Sequence, residues 1–248
     1  MKHIKITHNK KVYECDIPTE WDELDGDGLK LAAMMWGGGL PRDRLLSDFY
    51  KVPMAVVHDL DSYLVYCLSE LTNWMRRLDD TVDNFKIGEL PNTGYFAPGA
   101  HLAGCTLEQF MMADTYFQRY AIKQDAGYLT MFVASIYHAR RKRDDDMDVK
   151  LKVVEQVDER VKQAVFLNYI LIRRWLSRCY PYLFPSQADD DDDKPRKTKL
   201  KAQATDWLAI FDAFMGDDVA FIERYKRMSA LDAFRLMNRR IKQSRQPK

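Results

Sequence analysis

Apolar residues recur along most of this chain at the three- and four-residue steps of amphipathic helices, a pattern that predicts a mainly α protein. The most apolar of these stretches is 158–184. On a 3.6-residue wheel Val161, Val165, Ile172, Trp175, Leu176 and Cys179 share one arc, and Lys162, Gln163, Arg173, Arg174, Ser177 and Arg178 share the other. Phe166 and Ile170 intrude on the polar arc, as in a helix covered by neighbours on more than one flank. Asn168 stands alone among apolar residues and is expected to be buried and hydrogen-bonded. The expected fold is a multi-helix bundle around this long central helix, with Arg173, Arg174 and Arg178 on the face that receives the C-terminal helices.

Alternation of period two is clear in one place. Ile4 and Ile6, a turn at His8-Asn9-Lys10, then Val12, Tyr13 and Cys15 predict a small N-terminal β-hairpin over residues 2–17. Thr19 is placed to cap a helix carrying Trp21, Leu24, Leu31 and Met35, weakened midway by Asp25-Gly26-Asp27-Gly28 and ended by Gly37-Gly38-Gly39. A short helix follows Pro41. After Pro53, Val57, Leu60, Leu64, Cys67, Leu71, Trp74 and Leu78 alternate steps of three and four, which predicts one long helix, or two collinear ones, packed along a narrow seam. Its partner is expected within the chain, because the flanking positions carry no consistent charge code. Residues 79–105 form a loop punctuated by Gly and Pro, a candidate interaction surface, in which Phe85, Ile87 and Leu90 make a short strand against the N-terminal hairpin.

Thr106 and Gln109 form a capping box ahead of Leu107, Phe110, Met111, Phe117 and Tyr120, and Asp125 or a neighbour caps the next helix, with Leu129, Phe132, Val133 and Ile136. Between Gln187 and Lys201 only Leu200 merits burial, and the run Asp189 to Asp193 faces Lys194, Arg196, Lys197 and Lys199, the composition of a solvated linker. Trp207, Ile210, Phe211 and Phe214 then mark one helix, and Ala230, Leu231, Phe234, Met237 and Ile241 another. Roughly forty residues hardly hold a core alone. The organisation is therefore a helical body with its hairpin over 1–186, a charged linker over 187–201, and C-terminal helices over 202–248 docked on the body.

Charge changes this picture only locally. Lys and Arg number 38 against 37 Asp and Glu, so nucleic-acid binding requires a patch rather than the whole surface. Two candidate patches exist. Arg140, Arg141, Lys142 and Arg143 form the first, with Asp144 to Asp146 following at once to neutralise it in a solvated loop. Arg239, Arg240 and Lys242, with Arg245 and Lys248, form the second, at a helix end where positive charge also complements the helix dipole. The N-terminus lacks the apolar run of a secretory signal, and 164–172 is too short to cross a bilayer, so a soluble intracellular protein without membrane contact is expected. Cys15, Cys67, Cys105 and Cys179 are widely spaced and read as buried free thiols.

Catalytic chemistry finds no pattern to rest on. No Glu precedes a His by three residues, and neither His-Glu-x-x-His nor Cys-x-x-Cys occurs. Glu23, Asp25, Asp27 and Gly28 match the first, third, fifth and sixth places of a calcium loop, but its twelfth place is Met34 where a bidentate Glu is required. Leu40-Pro41 follows the triple glycine, without the Lys-Ser/Thr of a phosphate loop. Asp114, on or beside the apolar face of its helix, needs a partner such as a Tyr hydroxyl or an Arg, and a structural hydrogen bond is favoured over a catalytic acid. No cofactor, metal or catalytic residue is expected, and the protein reads as non-enzymatic.

The segment Thr106-Leu107-Glu108-Gln109-Phe110, with Asp114, Tyr116-Phe117 and Tyr120 after it, resembles helical proteins encoded among the tail and virion genes of Bacteroidetes prophages. The later order is similar: Ile136-Tyr137 before a charged loop, Asn168-Tyr169 with arginines downstream, a helix led by Trp207 and ending at Gly216, and a basic last helix. The resemblance extends over most of 19–245, with the five-Asp run and the Arg140 cluster as departures. It implies a non-enzymatic part in tail assembly, as a chaperone of tail proteins or a minor virion component. Other phage structural or assembly proteins are then the partners, in the bacterial cytoplasm or on the particle. The alternative is a nucleic-acid-binding regulator using Arg140 to Arg143 or the C-terminal run.

Overall fold

Residues 1–140, 146–185, 205–216 and 218–245 are described in a computed structural model. Strands β1 (Lys2–His8) and β2 (Lys11–Ile17) form the expected hairpin, with Ile4 opposite Cys15 and Ile6 opposite Tyr13. Asn9 and Lys10 both take positive φ, 48° and 65°, which matches the turn to the strand twist. Alternation then delivers Ile6 and Ile17 to the core.

The first helix starts later than Thr19. A 3-10 turn spans Trp21–Glu23, and α1 (Gly26–Trp36) is capped by Asp25, whose carboxylate accepts the Gly28 N–H at 2.7 Å. Thr19 instead donates its N–H and hydroxyl to Glu23. The acid–glycine run expected mid-helix is thus the helix start, and Leu24 folds so closely over Gly28 that a Cβ there would lie 2.6 Å from its Cδ2.

Helices α2 (Arg42–Tyr50), α3 (Met54–Asp59) and α4 (Ser62–Glu70) follow, then a 3-10 turn at Asn73–Arg76. The single seam helix is therefore not formed. Leu60 is extended, and Asp61 accepts the N–H groups of Tyr63 and Leu64, each at 2.9 Å, so a local cap wins over helix continuation.

In the loop, Phe85, Ile87 and Leu90 are buried but do not pair with the hairpin. Strand β3 (Tyr95–Phe96) pairs with β4 (His138–Ala139), and Glu89 bridges Phe96. The buried Asn168 fastens this loop: its Oδ1 accepts the Lys86 N–H at 2.7 Å, and its Nδ2 donates to the Asn84 carbonyl at 2.9 Å.

Helices α5 (Leu107–Lys123), α6 (Ala126–Ile136), α7 (Met147–Glu155) and α8 (Glu159–Cys179) are each capped by the side chain just before them: Thr106, Asp125, Asp146 and Asp158. The capping box at Thr106 is half made, because the Gln109 side chain donates to the Ile136 carbonyl instead of turning back. Helix α8 is central, with α1 on one flank and α6 on another. Its intruding Phe166 is covered by Phe117 and Tyr120 of α5, both at 4.8 Å between ring centroids, and by Phe132 of α6. Of the four free cysteines only Cys105 is buried; Cys179, at the end of α8, is exposed.

Helices α9 (Trp207–Met215), α10 (Ile222–Lys226) and α11 (Ala230–Ser244) follow. Phe234 packs at 4.6 Å on Phe110 and 5.1 Å on Phe184, and Leu107 and Ala230 bond through their N–H groups to the carbonyls of Met228 and Cys105. The seat is the head of α5 and the turn after α8; of the α8 arginines, Arg173 shares the Asp114 carboxylate with Trp207 of α9, while Arg178 reaches Asp80 at 3.2 Å. The linker proposed over 187–201 lies outside the described residues. Among the described residues no helix is long and apolar enough to cross a membrane.

Candidate functional site

The most concentrated polar chemistry lies inside the bundle. Asp114 falls between Phe110 and Phe117 on the inner face of α5 and is fully buried, so its carboxylate must find donors within the protein. Oδ1 accepts from the Tyr169 hydroxyl at 3.1 Å and the Arg173 guanidinium at 3.0 Å. Oδ2 accepts from the Trp207 indole N–H at 2.7 Å and from the Gln118 amide. Gln118 passes the link on by accepting the Thr205 N–H at 2.5 Å. Burial, and then the negative charge of Asp114, hold the Tyr169 hydroxyl well above its usual pKa, so it remains a donor. Both carboxylate oxygens are thus occupied by the protein's own donors. This arrangement holds α5, α8 and α9 together, and it bears out the structural reading of Asp114.

The candidate basic residues are described only in part. Arg140 lies at the end of β4 with its guanidinium 4.9 Å from the Phe96 ring centre, while Arg141, Lys142 and Arg143 lie outside the described residues. The C-terminal group divides. Arg240 donates to the Phe214 carbonyl and stacks on the Phe214 ring at 4.9 Å, closing α9 where Gly216 turns the chain at φ 60°. Arg239 and Lys242 are exposed, and Lys242 lies 5.8 Å from the Tyr182 ring centre.

A third surface was passed over by the pattern of apolar spacing. The sequence of α4, SYLVYCLSE, is apolar nearly all round, yet Leu68 is its one buried residue. Tyr63 is 73% exposed, Tyr66 55% and Leu64 44%, so both tyrosine rings and a leucine stand in water on one short helix. A shallow cleft of about 310 Å³ between α4 and the α2–α3 pair is lined by Arg42, Asp43, Val57, His58, Leu60, Ser62 and Val65, and its exposed lining is mostly polar. His58 sits 3.6 Å from Asp43, and Arg42 donates to Ser69 at 2.8 Å. Exposed tyrosine and leucine side chains on a helix that also borders a polar, charged cleft are the composition of a protein-contact surface. The available signal was a helix with no polar face outside a buried core.

The calcium look-alike is used up locally: Glu23 binds Thr19 and the N-terminal amine, Asp25 caps α1, and Asp27 pairs with Lys30. Among the described residues no group of three or more His, Cys, Asp or Glu side chains converges as a metal site would require. Comparison with family models, with curated proteins and with solved structures gave no match for this chain.

Proposed function

We propose that this protein is a non-enzymatic assembly protein acting through protein–protein contacts, in phage or prophage tail assembly or as a minor component of the virion. The observation that carries the reading is the outer face of α4, where Tyr63, Leu64 and Tyr66 are exposed beside the α2–α4 cleft. Tyrosine offers a large ring at low conformational cost, and an apolar helix face left in water favours a partner that covers it. The partner is a structural or assembly protein of the same particle, met in the bacterial cytoplasm or on the particle itself. The assignment to tails rests on the resemblance carried by residues 106–120.

Deleting the gene from a prophage that forms tails tests the role. The expected result is fewer particles, or particles of altered composition or tail length, restored by the wild-type chain and not by one carrying Tyr63→Ser and Tyr66→Ser. Particles normal in number, composition and tail length after deletion overturn it.

A further inference from the structure

The docking of α11 determines which of its residues face outward. Ala230, Ala233, Phe234 and Met237 are buried against the body, so Arg235, Arg239 and Lys242, at steps of four and three, share the solvent side, and Arg245 continues the row. At one end Arg235 pairs with Asp232 at 3.4 Å. Among the described residues Arg239, Lys242 and Arg245 have no carboxylate partner. At the other end stands Tyr182, from the turn after α8, its ring centre 5.8 Å from the Lys242 ammonium and 6.0 Å from the Arg245 guanidinium. Its placement is fixed from within, because Asn238 of α11 accepts the N–H groups of both Tyr182 and Leu183 at 2.9 and 3.1 Å. Arg240 faces the other way, bonded to Phe214.

We propose that this outward row, Arg235, Arg239, Lys242 and Arg245 with Tyr182 at its end, is a contact for the phosphate backbone of nucleic acid. Over ten residues an α-helix rises ~15 Å, the axial length of four to five successive phosphates of one strand at about 3.4 Å each. A row of cations at that spacing, three of the four without a carboxylate partner among the described residues, matches a linear polyanion, whereas a folded acidic protein presents carboxylates at irregular intervals. Tyr182 adds an aromatic ring on which an unpaired base stacks. Since the chain as a whole carries a formal charge of only +1, the attraction belongs to this row and involves few phosphates. The contact is independent of the α4 surface, and the failure of one leaves the other standing.

Fluorescence anisotropy of the full chain with a labelled DNA duplex and a labelled single strand of arbitrary sequence, at 50 and 200 mM NaCl, tests the proposal. With about three phosphates neutralised, duplex affinity falls ~40-fold over that fourfold rise in salt. The triple variant Arg239→Ala, Lys242→Ala, Arg245→Ala loses the binding while keeping its circular dichroism spectrum. Tyr182→Leu weakens the single strand by about tenfold and leaves the duplex unchanged. Should the triple variant unfold, the salt dependence of the wild-type chain decides alone. No duplex binding at 50 mM NaCl, binding insensitive to salt, or equal affinity for polyglutamate would each overturn the proposal.

Discussion

The Trp207 indole nitrogen donates to the Asp114 carboxylate across 2.7 Å, joining two residues that lie 93 positions apart. Since Arg173 and Tyr169 hold the other carboxylate oxygen, one buried acid ties the C-terminal helices to the central helix. Truncating it strands several neutral donors away from water and takes the partner from the half-buried Arg173 guanidinium. Asp114→Ala is expected to cost about 3–5 kcal/mol, and Trp207→Phe, which keeps a ring and removes the donor, about 1.5–3 kcal/mol. Urea denaturation measures both, and values within the range of surface substitutions would contradict the role.

Asn168 fastens the 84–86 backbone through two bonds of opposite sense, one accepted and one donated. Asn168→Ala leaves a buried N–H and a carbonyl to rehydrate, at a cost of about 2 kcal/mol. Hydrogen exchange at the Lys86 amide should accelerate more than exchange in β1 or β2. A uniform change across the protein would argue against a local clamp.

Burial pushes the Cys105 thiol up to about 12 from its ordinary value of 9.0 and holds the Tyr137 and Tyr169 hydroxyls above their usual range. These groups stay neutral in the folded state while the unfolded chain ionises. Their contribution is therefore fully present below the unfolded pKa and is lost as pH rises, for Cys105 between about 9 and 12. Urea midpoints should fall from pH 9 upward, and Cys105→Ala should flatten the first part of that fall. Under native conditions a thiol reagent should modify Cys179 quickly and Cys105 only on unfolding.

On α4 the inner and outer faces should separate cleanly. Leu68→Ala is expected to cost about 2–5 kcal/mol, and Tyr63→Ser with Tyr66→Ser less than about 0.5 kcal/mol each. Thermal melts of the purified variants check this. A large loss from the outer pair would mean that the rings support the fold.

Packing faces were legible wherever the period was long and unbroken. In the arc read over 158–184, Val161, Val165, Ile172, Trp175 and Leu176 are buried as read, because side-chain direction on a helix follows from spacing, whereas Cys179 of that arc is exposed at the helix end and Lys162 of the polar arc is buried. Asn168 was legible as a hydrogen-bonding residue, but its partners lie 82 and 84 positions away, beyond any local pattern. Competing caps misled the reading twice. Thr19 and Asp25 both suit an N-cap, and the close fit of Leu24 over Gly28 favours the second; Asp61 cuts a seam that its apolar spacing would have continued. The α4 surface was illegible for a related reason. Tyr63 and Tyr66 at helical spacing carry the same pattern whether they face a core or water, and only the tertiary fold decides which.

The central claim, contact with an assembly partner through α4, is tested most directly by photo-crosslinking from position 66. A benzoylphenylalanine in place of Tyr66, in cells producing tails, should form a crosslink to one tail or virion protein, and the same residue in place of Lys152 on α7 should not. If position 66 yields no crosslink in cells that assemble tails, or one no different from that of position 152, the account of α4 as the partner surface is wrong.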